Sequence, residues 1–176
     1  MKNTCESCGG ELIDRMATKE APYAYTMSGV KGVELVGIRV QACPRCGVQM
    51  PYIPRMAELH RVIARVLVQQ PTRLRGDQIR FLRKHAGLPS NEFARLIGVT
   101  PEHLSKVENA HFEFLGEQSD RLVRFCVTAI AQDGDAAREV LLEITKTAKV
   151  APPRKGPAKM TPRTFTMEKH KGWKAA

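Results

Sequence analysis

Cys5-Glu6-Ser7-Cys8-Gly9 and Cys43-Pro44-Arg45-Cys46-Gly47 are two copies of one short pattern, a Cys-x-x-Cys pair running into glycine. Four thiolates hold a tetrahedral zinc ion at about 2.3 Å without strain, and the glycine after each pair can take a backbone turn that side chains resist. The spacing predicts one structural Zn²⁺ per chain, held by Cys5, Cys8, Cys43 and Cys46. A disulfide framework fits less well, because no apolar signal segment precedes Cys5 and the chain is expected in a reducing cytoplasm. A redox pair fits less well again, since neither motif sits at a strand-to-helix junction of a βαβ unit. A catalytic zinc would keep an open position, and no histidine lies between the pairs to replace a thiolate.

Between the pairs the sequence alternates, in Tyr23-Ala24-Tyr25-Thr26-Met27 and again from Val33 to Val40, with Ser28-Gly29 and Lys31-Gly32 as turns. Period two predicts short antiparallel strands. A sheet of two or three strands is marginal alone in water, so residues 1–53 form a small β domain in which metal binding supplies much of the folding free energy.

The whole chain, at 176 residues with 43% hydrophobic side chains, is long enough for one ordinary domain or two small ones. No stretch approaches the roughly 20 apolar residues needed to cross a bilayer, and no membrane partner is expected. The formal charge of +10 is unevenly spread. Residues 54–84 carry about +6 and residues 146–176 about +8, whereas residues 85–145 carry about −5.

After Pro51 and Pro54, residues Met56, Leu59, Ile63, Val66 and Leu67 recur at three- and four-residue spacing, which predicts an amphipathic helix ending near Gln70, inside a helical linker over 54–76. Its apolar stripe can pack on the β domain, pair with a second copy or serve a stiff spacer. Residues 77–148 then read as a cluster of helices: 77–86, 90–97, 100–109, 118–132 and 135 to about 146. Thr100 before Pro101 is a favourable helix start. Ile79, Leu82, Leu88, Phe93, Ala94, Ile97, Val99, Leu104, Val107, Leu122 and Phe125 are expected to face one core, with Cys126 as a small core residue.

Within this cluster, Gly87-Leu88, the run Glu92-Phe93-Ala94-Arg95-Leu96-Ile97-Gly98-Val99-Thr100 and Leu104-Ser105-Lys106-Val107-Glu108-Asn109 resemble the Cro/repressor (XRE) helix-turn-helix family over residues 77–131. The resemblance implies that the helix 100–109 enters the DNA major groove. It carries DNA contacts onto Ser90, Thr100, Pro101, Glu102, His103, Ser105 and Lys106, and a structural ion pair onto Arg83 and Glu108. Where the family pattern has glycine after Glu108-Asn109 this chain has Ala110, less comfortable in a left-handed turn. Pro89 stands at the usual cap position and Ser90 where glutamine is common.

Together, the paired Cys-x-x-Cys motifs followed by this helix-turn-helix resemble the YgiT-type zinc-finger antitoxins, the MqsA-like family, over roughly residues 1–131. The expected fold class is α+β, a small zinc-bound β domain joined to an all-α helix-turn-helix domain. The resemblance implies a homodimeric antitoxin and transcriptional autorepressor of a type II toxin-antitoxin operon. Its zinc domain would bind a small ribonuclease toxin, and its helices would bind palindromic operator DNA in the cytoplasm at the nucleoid. Alternatives are a stand-alone transcriptional regulator with no toxin, or a zinc protein associated with RNA. The last draws on residues 149–176, a basic stretch expected to be a disordered tail, where Phe165 and Trp173 can stack on bases. No Ser/His/Asp triad, paired carboxylates or phosphate loop stands out, so an enzyme is the class least expected.

Overall fold

The protein's structure, a computed structural model, describes residues 4–112, 114–130, 162–168 and 172–175. The fold is α+β. Its strands are β1 (Ile13–Met16), β2 (Tyr23–Ala24), β3 (Val33–Val36), β4 (Arg39–Ala42) and β5 (Gln49–Tyr52), then β6 (Arg163–Glu168) and β7 (Gly172–Ala175) near the carboxyl end. Between these two groups lie α1 (Met56–Gln69), α2 (Gly76–His85), α3 (Ser90–Leu96), α4 (Pro101–Glu108) and α5 (Glu117–Ile130). The expected helix at 135–146 lies outside the described residues.

The chain divides into two compact units. The first comprises Met1–Thr26, Gly32–Val62 and Met160–Ala176, and the second Met27–Lys31 and Ile63–Lys159. This differs from a β domain closed at residue 53, because the chain comes back to its first unit at its carboxyl end.

The first unit holds two sheets among the described residues, ordered β1-β4-β5 and β2-β3-β6-β7. The run Val33 to Val40, one alternating stretch in sequence, is cut at Gly37, whose φ of +76° turns the backbone out of the extended region. β3 therefore joins one sheet and β4 the other. Leu35 opposes Phe165 in the parallel β3–β6 pair, and both are fully buried. Trp173 on β7 is also buried, its indole Nε1 donating to the Pro54 carbonyl at 2.9 Å.

These contacts correct the expectation of a disordered tail over 149–176, since its described residues 163–168 and 172–175 are paired strands. Average composition hid them. Phe165 and Trp173 each bury a large apolar surface, and the β-branched Thr164 and Thr166 favour extended backbone, but the burial is completed by β3 far upstream in sequence.

In the second unit Ile79, Leu82, Phe93, Ala94, Ile97, Leu104 and Val107 are buried as the periodicity implies. Leu122 and Phe125 are not; they are 40% and 48% exposed, and Cys126 is half-buried. α5 instead buries the phase Asp120, Val123, Arg124 and Val127. Two charged residues on that face disguise it in sequence, and they are satisfied by a dense set of bonds. Arg124 reaches Asp120 at 2.8 Å, the carbonyls of Val68 at 2.8 Å and Gln70 at 2.6 Å through Nη1, and that of Thr72 at 2.7 Å through Nη2. The Leu74 amide donates to the other Asp120 oxygen at 2.7 Å. The guanidinium thus satisfies carbonyls at the end of α1, where orphan acceptors and a partial negative charge collect. On α1, Leu59 in the first unit and Ile63 and Leu67 in the second are wholly buried.

Gly76 opens α2 where that helix meets α4. A Cβ there would lie 1.8 Å from the Val107 carbonyl oxygen, so only hydrogen fits.

Candidate metal centre and nucleic-acid interface

The two cysteine pairs form matching knuckles. Cys5 N–H donates to Gly10 O at 2.8 Å and Gly9 N–H returns to Cys5 O at 2.8 Å; Cys43 N–H donates to Val48 O at 2.9 Å and Gly47 N–H to Cys43 O at 2.9 Å. Gly9 and Gly47 sit at φ +70° and +76°, the left-handed turn that the sequence position implies. The second knuckle lies between β4 and β5, and the first precedes β1, so pairing of β1 with β4 helps bring the knuckles together.

All four Sγ atoms lie within 4.8 Å of one another. Cys5 and Cys46 are 3.6 Å apart and Cys8 and Cys43 3.5 Å apart, each a contact across the two knuckles. A tetrahedron with metal–sulfur bonds of about 2.3 Å has edges of about 3.8 Å, so one cation fits with little movement. Cys5 and Cys43 are buried beside Leu12, with Val48 packed against them, and Cys46 is exposed. The sulfurs do not titrate alike. The Cys46 backbone N–H holds the Cys43 thiol down at about 7. The Gly10 N–H pulls Cys8 down, but the sulfurs of Cys43 and Cys46, burial and Cys5 together push it up to about 12. A cation shared by all four removes this competition for protons, and its uptake releases them.

The second constellation lies on α2–α4. Arg83 grips Glu108 with both arms of its fork, Nε to Oε1 at 2.7 Å and Nη2 to Oε2 at 2.9 Å, while Nη1 donates to Leu88 O at 3.1 Å. Arg80 adds a contact to Glu108 at 3.6 Å and donates to Asn109 Oδ1 at 2.9 Å. Glu108 is buried, so its charge is spent inside the unit. Because Arg80 and Arg83 lie outside residues 85–145, the charge counted over that stretch overstates by one the negative charge offered to solvent.

Thr100 caps α4, its Oγ1 accepting from His103 N–H at 3.2 Å. Thr100, Glu102, Ser105 and Lys106 are exposed, and Ser90, Pro101 and His103 half-buried, so all seven predicted contact residues reach the surface. Ser90 is the first residue of α3, and Pro89 occupies its N-cap without a side-chain bond. Glu102 points outward as expected, and its charge is held in place. Its own backbone N–H and the Thr100 hydroxyl hold its carboxyl below the usual range, which keeps the charge tied to the start of α4. Ala110 takes the left-handed conformation at φ +62°, with His111 N–H donating to Lys106 O at 2.8 Å and Ala110 N–H to Val107 O at 3.0 Å, a complete Schellman closure.

Sequence reasoning missed the contacts of Asn109 and Phe112 here. Phe112, 47% exposed, lies against His103 at 5.5 Å between ring centroids and beneath Lys106 Nζ at 5.9 Å. An aromatic residue after a helix cap carries no periodic signal; the turn at Ala110 is what folds it back.

No helix among the described residues is long and apolar enough to cross a membrane. Compared with known protein families, curated proteins and solved structures, the chain matches none.

Proposed function

We propose that this chain is a zinc-stabilised, DNA-binding repressor of the antitoxin type. The helix-turn-helix is α3, the turn at Gly98-Val99, and α4, whose outward residues meet the major groove. The observation that carries this reading is the two-armed Arg83–Glu108 bond, which locks α4 against α2 and leaves Thr100, Pro101, His103, Ser105 and Lys106 at the surface. Arg80 and Lys106 supply positive charge beside a helix whose main acid is internally paired.

The four thiolates hold one Zn²⁺, and that ion supplies no chemistry beyond neutralising and clamping its ligands. Cys5, Cys8, Cys43 and Cys46 thereby fix the β1-β4-β5 sheet as a rigid surface for a protein partner, which in the antitoxin reading is a small ribonuclease toxin. Two copies related by a two-fold axis set their α4 helices one DNA turn, about 34 Å, apart on a palindromic operator. Leu122 and Phe125, 40% and 48% exposed on α5, offer an apolar face for that dimer.

Burial of Phe165 and Trp173 removes the stacking residues on which an RNA-associated role rested. The test is binding of the zinc-loaded chain to duplex DNA from upstream of its own reading frame, followed by fluorescence anisotropy at physiological salt. The variant with His103→Ala and Lys106→Ala is expected to lose operator binding while keeping its helix content. Unchanged affinity moves readout off α4. Copurification of a small ribonuclease from the native host separates the antitoxin from a stand-alone regulator.

A further inference from the structure

We propose that Phe112, outside the helix that the sequence assigns to readout, contacts DNA and reads the C5 methyl group of a thymine in the major groove. The inference rests on the DNA-binding reading above and names one base feature that the site recognises.

The backbone holds the residue in place. Phe112 N–H donates to Lys106 O at 3.3 Å, and the closure at Ala110 turns the chain back along α4. The ring then lies against His103 and Lys106, two of the outward residues of α4, so a duplex that meets those side chains meets the ring. Nearly half of Phe112 stays open to solvent.

The surroundings define the ligand chemistry. Among the described residues, Lys106 Nζ and the Arg80 guanidinium are cations at this end of α4, Glu108 is buried between Arg83 and Arg80, and Glu102, at the start of the helix, lies within electrostatic reach of Lys106. An apolar ring among cations suits a partner that presents an anionic backbone and an apolar group on its readable edge. In duplex DNA the thymine methyl is that group, and contact with a phenylalanine ring is one of the ways it is read. Double-stranded RNA lacks the methyl, and its narrow major groove excludes side chains.

The experiment starts by selecting duplexes from a random-sequence library with the zinc-loaded full chain. Each thymine of a selected duplex is then replaced singly by deoxyuridine, which removes only the methyl. The expected result is one thymine per half-site at which the change weakens binding about fourfold, the effect of burying one methyl group. Phe112→Ala is expected to bind the thymine and deoxyuridine duplexes equally, and Phe112→Leu to keep part of the preference, each with an unaltered helix signal. Selected duplexes whose affinity ignores every such replacement overturn the inference while leaving DNA binding intact, as does a Phe112→Ala variant that keeps the preference. A library that yields no bound duplex overturns the DNA-binding reading itself, and this inference with it.

Discussion

Replacing Arg124 by methionine removes the centre of the polar network at the end of α1. The side chain is 6% exposed and its Asp120 partner 3% exposed. Four bonds vanish together: one to the Asp120 carboxylate and three to the carbonyls of Val68, Gln70 and Thr72. What remains is a buried carboxylate supported by the Leu74 amide. Breaking a buried pair by removing one partner costs about 3–5 kcal/mol, chiefly because the other charge is left uncompensated. Asp120→Asn strands the guanidinium instead, although three carbonyls still hold it, and is expected to cost less than Arg124→Met. The double variant leaves no stranded charge and is expected to fall short of the summed single costs by about 1–3 kcal/mol. Urea denaturation followed by helix circular dichroism reads these values in the helical unit. An Arg124→Met cost below about 1 kcal/mol at unchanged m-value refutes the assignment of a buried, coupled network.

Ala110→Gly relieves a left-handed residue at φ +62° but frees the unfolded chain. The conformational penalty of about 1–2 kcal/mol exceeds the entropic loss of about 0.4–1 kcal/mol, so a net gain of about 0.5–1 kcal/mol is expected in the same denaturation. Phe165→Ala empties a fully buried position in the first unit and is expected to cost about 3–5 kcal/mol, read by the fluorescence of Trp173, the chain's single tryptophan; a solvated tail predicts no change. Burial holds His60 below its ordinary value of 6.5, beside the Tyr25 hydroxyl at 2.9 Å. The unfolded chain therefore binds more protons, and this contribution to stability is full above pH 6.5 and declines as pH falls through the folded value. His60→Gln is expected to flatten that slope relative to the parent chain, both carrying the same cysteines; identical slopes assign the acid sensitivity elsewhere.

Helical order was readable wherever apolar spacing and a local stop signal coincided. α1 ends before Pro71, α2 before Gly87, α3 before Gly98, and α4 starts at the Thr100-Pro101 cap. The metal cluster was readable because its pattern is local to each knuckle. What escaped depends on distant partners. β1 and β5 have little apolar alternation and are defined by pairing with β4, and β6 is a strand because β3 presents an edge to it. On α5 the apolar residues Leu122 and Phe125 suggested one phase, while bonds from Arg124 to the carbonyls after α1 select another. Phe112 was invisible for a similar reason, since its position follows from a backbone turn rather than from periodicity.

In the proposed reading one zinc ion, held by four thiolates, makes the small β unit a rigid body. Native mass spectrometry of the purified full chain, alongside Cys5→Ser and Cys46→Ser, tests it most directly. One zinc per parent chain is expected, with either substitution releasing the metal and altering Trp173 fluorescence while the helix signal persists. A folded parent chain that carries no metal, or a variant that keeps one tightly bound zinc and an unaltered spectrum, contradicts four-thiolate ligation.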